Sequence, residues 1–156
     1  ARQALGSLLA ARQQEGAEIA AVLLGHLDTI AELVVRAEAH PSRDRATIEA
    51  RLREQVAALR EDTSLPQDRL AQEALLLATK ADIQEELDRL RAHIAAARKL
   101  IEDGGAVGRR LDFLAQEFNR EANTLCAKAN AVELTAIGLD LKAAIDQLRE
   151  QVQNVE

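Results

Sequence analysis

The side chains best suited to chemistry fall on two strips in the middle of the chain. Asp82, Glu86, Arg89 and His93 step by four, three and four. At about 100° per residue that spacing keeps them along one flank of an α-helix. Arg110, Glu117, Glu121 and Thr124 form a second strip, beyond a short Asp103-Gly104-Gly105 segment. If both strips face the same side, two or three carboxylates and one imidazole converge. Carboxylates with at most one imidazole suit magnesium or manganese better than structural zinc. Such a centre serves phosphoryl chemistry, by polarising phosphate oxygens and activating water. The competing reading is a solvated charged surface. Glu85–Arg89 has the favourable i, i+4 spacing, and Glu117–Arg120 reads as a surface pair.

Whether the strips meet depends on the elements beneath them. Ile83, Leu87, Leu90, Ile94, Ala97 and Ile101 alternate steps of four and three, a heptad-like apolar seam. The spacing predicts one helix over 67–102, and such an arm spans roughly 54 Å at ~1.5 Å per residue. Gly104 and Gly105 end it, because glycine takes left-handed backbone angles at little steric cost. Val107, Leu111, Leu114, Phe118 and Leu125 carry the seam along a second helix over 106–128. A turn this short makes the two arms antiparallel neighbours. Counted outward from the turn, His93 lies level with Glu117, and Glu86 level with Asn123 and Thr124.

Three more helices frame this hairpin. Ile19, Leu23, Leu27, Ile30, Val34 and Ala37 trace a stripe along a helix over 1–39. Pro41 ends it, and Ser42 is expected to cap a helix over 43–61 with Ile48, Leu52, Val56 and Leu59 inward. Arg51, Arg53, Glu54 and Arg60 read as its solvated face. Thr63-Ser64-Leu65-Pro66 marks the next break. A last helix over 132–153 follows Ala129-Asn130-Ala131, with Leu134, Ile137, Leu141, Ile145, Leu148, Val152 and Val155 as its stripe. The expected fold is all-α, an elongated bundle of about five helices, divided into 1–65 and 66–156.

Composition narrows the functions. The 156 residues are 47% hydrophobic but include only two aromatics, Phe113 and Phe118, so alanine and leucine must fill the core. The net charge of −6 is spread evenly. No basic run marks a nucleic-acid surface, and the scarcity of aromatics argues against base stacking. The single cysteine, Cys126, rules out an internal disulfide and reads as a buried thiol. No apolar run is long enough for membrane insertion, and a reducing cytoplasm fits. The sequence opens on Ala1 in an already helical pattern, which is expected of a piece of a longer protein.

The segments DIQEELDRLRAH (82–93), GRRLDFLAQEFNREANTL (108–125) and IDQLREQVQNVE (145–156) resemble the C-terminal domain of the YicC-like family of bacterial proteins. The resemblance covers roughly residues 10–156 and weakens before Pro66. It implies a cytoplasmic, metal-dependent endoribonuclease that assembles as a homo-oligomer, a hexamer, with an N-terminal domain of comparable size beyond this chain. On that basis Glu86, His93, Glu117 and Glu121 are the expected ligands of manganese or magnesium. Glu117, His93, Arg89 and Arg120 are the expected catalytic groups. Arg109, Arg110, Asn119, Asn123 and Lys128 are the expected RNA contacts. Attack by an activated water and attack by the ribose 2′-hydroxyl both remain open. The chain departs from the family pattern at Ala71, often a glutamate, and at Ala127 and Ala129, which stand for serines. The isolated chain is expected to be inactive. A helical assembly module without chemistry of its own is the alternative.

Overall fold

The computed structural model describes residues 2–59 and 66–154, and all regular structure among them is helical. Six α-helices follow in order: α1 (Arg2–Glu38), α2 (Arg45–Leu59), α3 (Gln67–Lys80), α4 (Gln84–Asp103), α5 (Gly108–Lys128) and α6 (Val132–Val152). A 3-10 turn, Pro41–Arg43, links α1 to α2. None of these helices is long and apolar enough to cross a membrane.

Helices α1, α4, α5 and α6 close into an antiparallel four-helix bundle. In it α1 and α5 each pack on both α4 and α6. Arg91 of α4 pairs with Glu38, and Arg98 reaches Asp28 at 2.7 Å, which fixes α1 and α4 in opposite directions. The predicted stripes form the core: Leu23, Leu27, Ile30, Leu87, Leu90, Phe118, Leu125, Leu134, Leu141 and Ile145 are all buried. Burying each such side chain contributes about 1.5–3 kcal/mol. Gly104 and Gly105 turn α4 into α5 with φ of 69° and 83°, the left-handed angles expected of them. Gly138 has a different task. A Cβ there would lie 2.6 Å from Cys126 Sγ, so its bare backbone lets α6 approach α5 closely.

The long first arm is two helices, not one. Its apolar phase runs on through Ile83, but the backbone breaks at residues 81–83. Asp82 Oδ1 accepts the Gln84 N–H at 2.9 Å, a side-chain turn that opens α4. Ile83, fully buried, is pinned at the start of the helix. Asp82 therefore stands just ahead of the Ile83 N-cap, bracing the first turn of α4, and lies outside the helix that carries Glu86, Arg89 and His93.

The freed helix α3 packs on α2 as a second hairpin, inserted between α1 and α4. Ile48 is buried there, while Leu52 and Val56 are half-buried. The expected inward Leu59 side chain, Arg60, the break at 63–65 and Val155 lie outside the described residues. Ser42 does not cap α2. It is buried, His40 Nδ1 accepts its N–H at 3.2 Å, and its carbonyl accepts from Asn130 Nδ2 at 2.7 Å. This last bond ties the α1–α2 corner to the α5–α6 turn. Packing thus runs across the 65/66 division, since α1 belongs to the same bundle as α4–α6. At its other end α1 projects beyond the bundle, and Leu5, Leu8 and Leu9 are exposed.

Candidate metal centre

The α4–α5 turn sets the register, and the register brings His93 of α4 against Glu117 and Glu121 of α5. One ligand atom from each lies within 4.8 Å of the others. Two ligands of one cation at about 2.1 Å are at most ~4.2 Å apart, so a bound of this size is close to what one cation requires. Phe118, fully buried between the two glutamates, holds the imidazole from behind. The rings meet edge to face, with centroids 5.8 Å apart and planes at 79°. His93 Nε2 is buried and has no hydrogen-bond partner among the described residues. A buried ring nitrogen without a partner is costly unless something binds it. Two carboxylates and one imidazole, whose Nε2 is the unpartnered atom, therefore fit a divalent cation in donor type.

Guanidinium groups flank the trio. Arg89 pairs with Glu85 and also reaches the buried Glu121 at 3.5 Å. Arg120 lies 3.9 Å from Glu117, the more exposed of the two glutamates. The i, i+4 surface pair read from the sequence is thus present, and the same arginine also serves the cluster.

Glu86 stands apart. It is buried, its Oε1 accepts from Lys128 Nζ at 2.7 Å, and its Oε2 has no partner among the described residues. It meets α5 one turn beyond the expected level of Asn123 and Thr124. Lys128, expected to contact RNA, gives one of its ammonium donors to this pair. Thr124 turns its hydroxyl back onto the Arg120 carbonyl at 3.2 Å. Asn119 and Asn123 follow Glu117 and Glu121 by two residues each, which puts them ~160° round the helix from the trio. Arg109 and Arg110 sit at the far end of α5. There, with Lys99 and an exposed Phe113, they line a groove of about 450 Å³. Phe113 falls outside the apolar seam read from the sequence, and it is exposed accordingly.

Cys126, expected to be buried, is only partly so. Burial pushes its thiol up from the ordinary value, and the charge on Lys142 pulls it partly back.

The family model described as "Endoribonuclease YicC-like, C-terminal" matches residues 35–156. The chain belongs to the YicC-like family. It is 40% identical over 154 residues to the "Probable endoribonuclease YicC" of Haemophilus influenzae, covering 97% of this chain and 52% of that protein. It is 32% identical over 154 residues to the protein of the same name in Clostridioides difficile, covering 98% of this chain and 53% of that one. The chain therefore spans about half the length of the curated relatives it matches. Within this YicC-like domain His93, Glu117 and Glu121 all lie inside the matched residues, on the helix pair joined by the Gly104-Gly105 turn.

Proposed function

We propose that this domain is the metal-holding half of a bacterial endoribonuclease that cleaves phosphodiester bonds in RNA. The convergence of His93, Glu117 and Glu121, with the unpartnered His93 nitrogen, carries this reading. These three residues would hold manganese or magnesium. When bound, such a cation supplies Lewis acidity toward a phosphoryl oxygen and acidifies a water. The protein's own groups do the rest. Arg89, braced by Glu85 and Glu121, and Arg120, beside Glu117, offset the negative charge that grows on the phosphate oxygens. Proton exchange with the attacking or leaving oxygen would fall to Glu117, through the carboxylate oxygen that the cation leaves free, while His93 serves as a ligand. Phe118 keeps bulk water from the inner side of the site.

The remaining half of the full-length protein would supply substrate surface, which accounts for a domain of net charge −6 acting on RNA. The exposed leucines of the projecting end of α1 support assembly into a homo-oligomer, with a hexamer as the expected form and the cytoplasm as the compartment. The test uses the full-length parent. Glu121→Gln should abolish RNA cleavage, chelator should abolish wild-type cleavage, and oligomer mass should stay unchanged. Full activity in Glu121→Gln would reduce the cluster to a structural network.

A further inference from the structure

A second site follows from the hairpin that the sequence divided between two halves. Between α2, the end of α3 and the α5–α6 turn runs a groove of about 320 Å³. Three charged side chains line it, Arg51, Lys80 and Lys128, and all are cationic in a chain of net charge −6. Arg51 Nη1 is tethered to the Asn130 carbonyl at 3.3 Å and has no carboxylate partner among the described residues. Lys80 has none either. Lys128 is paired, but the buried Glu86 uses only one of its ammonium donors and aims the group. The excess positive charge therefore comes from Arg51 and Lys80, and Lys128 adds oriented N–H bonds.

We propose that this groove binds a backbone phosphate of an RNA strand, clasped by Arg51, Lys80 and Lys128. The proposal rests on the ribonuclease reading and extends it to substrate placement. Glu117, Glu121 and Lys128 follow one another along a single strip of α5, at steps of four and seven. At ~1.5 Å per residue, Lys128 lies about 10 Å along the helix from Glu121. A strand whose reacting phosphate sits at the trio runs along this strip into the groove. The groove walls are aliphatic at Ile48 and Leu52 and amide at Gln55 and Asn130, with no aromatic ring to stack a base. Such a lining reads phosphate and ribose and is indifferent to base identity.

The experiment uses the 156-residue chain, chelator, and a 2′-O-methyl oligouridylate that is not cleaved. Binding is followed by fluorescence anisotropy at several salt concentrations. Arg51→Ala/Lys80→Ala should weaken binding about tenfold and lower the slope of log affinity against log salt by about 0.7. Arg12→Ala/Arg149→Ala removes the same charge elsewhere and should leave both values near those of the wild type. Equal binding by the groove variant and the wild type overturns the proposal, as does absence of binding by the wild type. A groove variant that changes the mass of the assembly assigns the groove to contact between copies and also overturns it. Glu121→Gln should keep oligouridylate binding, so failure of the metal reading and failure of this one give different results.

Discussion

Lys128 Nζ lies 2.7 Å from Glu86 Oε1, and this bond joins the C-terminus of α5 to the first turn of α4 across a site where the carboxylate is 3% exposed. The pair is asymmetric, since Lys128 keeps 33% of its side chain in solvent. Removing the lysine leaves a buried carboxylate with neither oxygen satisfied. Lys128→Met should therefore cost about 2–3 kcal/mol, below the full figure for a wholly buried pair because of that exposure. Glu86→Met/Lys128→Met should recover most of the loss. Urea denaturation of the three proteins measures both numbers.

Asp82 tests the break between α3 and α4. If its carboxylate holds the first turn of α4, Asp82→Ala should destabilise the chain by about 1 kcal/mol, while Asp82→Asn or Asp82→Ser should cost less than half as much. Continuous helix through 81–83 would instead make the alanine variant neutral or stabilising. Denaturation midpoints separate the two outcomes.

These two residues also show what the sequence could and could not convey. Periodicity gave the stripes of all the bundle helices, because burial repeats with the backbone. Counting from Gly104-Gly105 gave the level of His93 against Glu117, because a tight turn leaves little freedom of register. The same periodicity hid the break at Asp82, since Ile83 stays in phase on both sides of it. It also placed Glu86 on the strip of His93 without revealing that Lys128, forty-two residues away, claims it. Pairings of that kind depend on which α5 residue arrives opposite, and a drift of one turn changes the partner. Gly138 passed unnoticed for a related reason: its contact with Cys126 exists only once α5 and α6 are packed.

Gly138→Ala sets two effects against each other. Alanine gains about 1 kcal/mol in helix propensity. Its Cβ would lie 2.6 Å from Cys126 Sγ and 3.2 Å from Leu125 Cδ2, and overpacking of this kind costs about 1–3 kcal/mol. The net change should be destabilising. Cys126→Ala removes the sulfur, so Gly138→Ala should become stabilising in that background. A double-mutant cycle on unfolding free energy reads the difference as a coupling of about 1 kcal/mol or more.

The Cys126 thiol, raised by burial above its ordinary 9.0, gives a pH signature. The unfolded chain loses this proton first as pH rises, so unfolding is favoured once pH climbs through the unfolded-state value. The thiol's contribution to stability is fully present below that value and falls between the unfolded and folded values. Cys126→Ser should flatten the alkaline limb of the stability profile. Alkylation by iodoacetamide at pH 8 should be slower in the native chain than in urea, since fewer native molecules carry the thiolate.

Metal binding separates the trio from Glu86 without any assay of cleavage. A cation that binds only the folded chain stabilises it by RT ln(1 + [L]/Kd), about 2.7 kcal/mol at a hundredfold excess over Kd. Manganese should therefore raise the Tm of the wild-type chain, and paramagnetic broadening should centre on resonances around His93, Glu117 and Glu121. His93→Ala and Glu121→Gln each remove one of three ligands and should lose both effects. Glu86→Gln keeps an oxygen for Lys128 and stands outside the trio, so it should retain both. An equal loss in Glu86→Gln and Glu121→Gln would mean that the centre reaches along α4 as far as the Lys128 pair, and the three-residue assignment would be wrong.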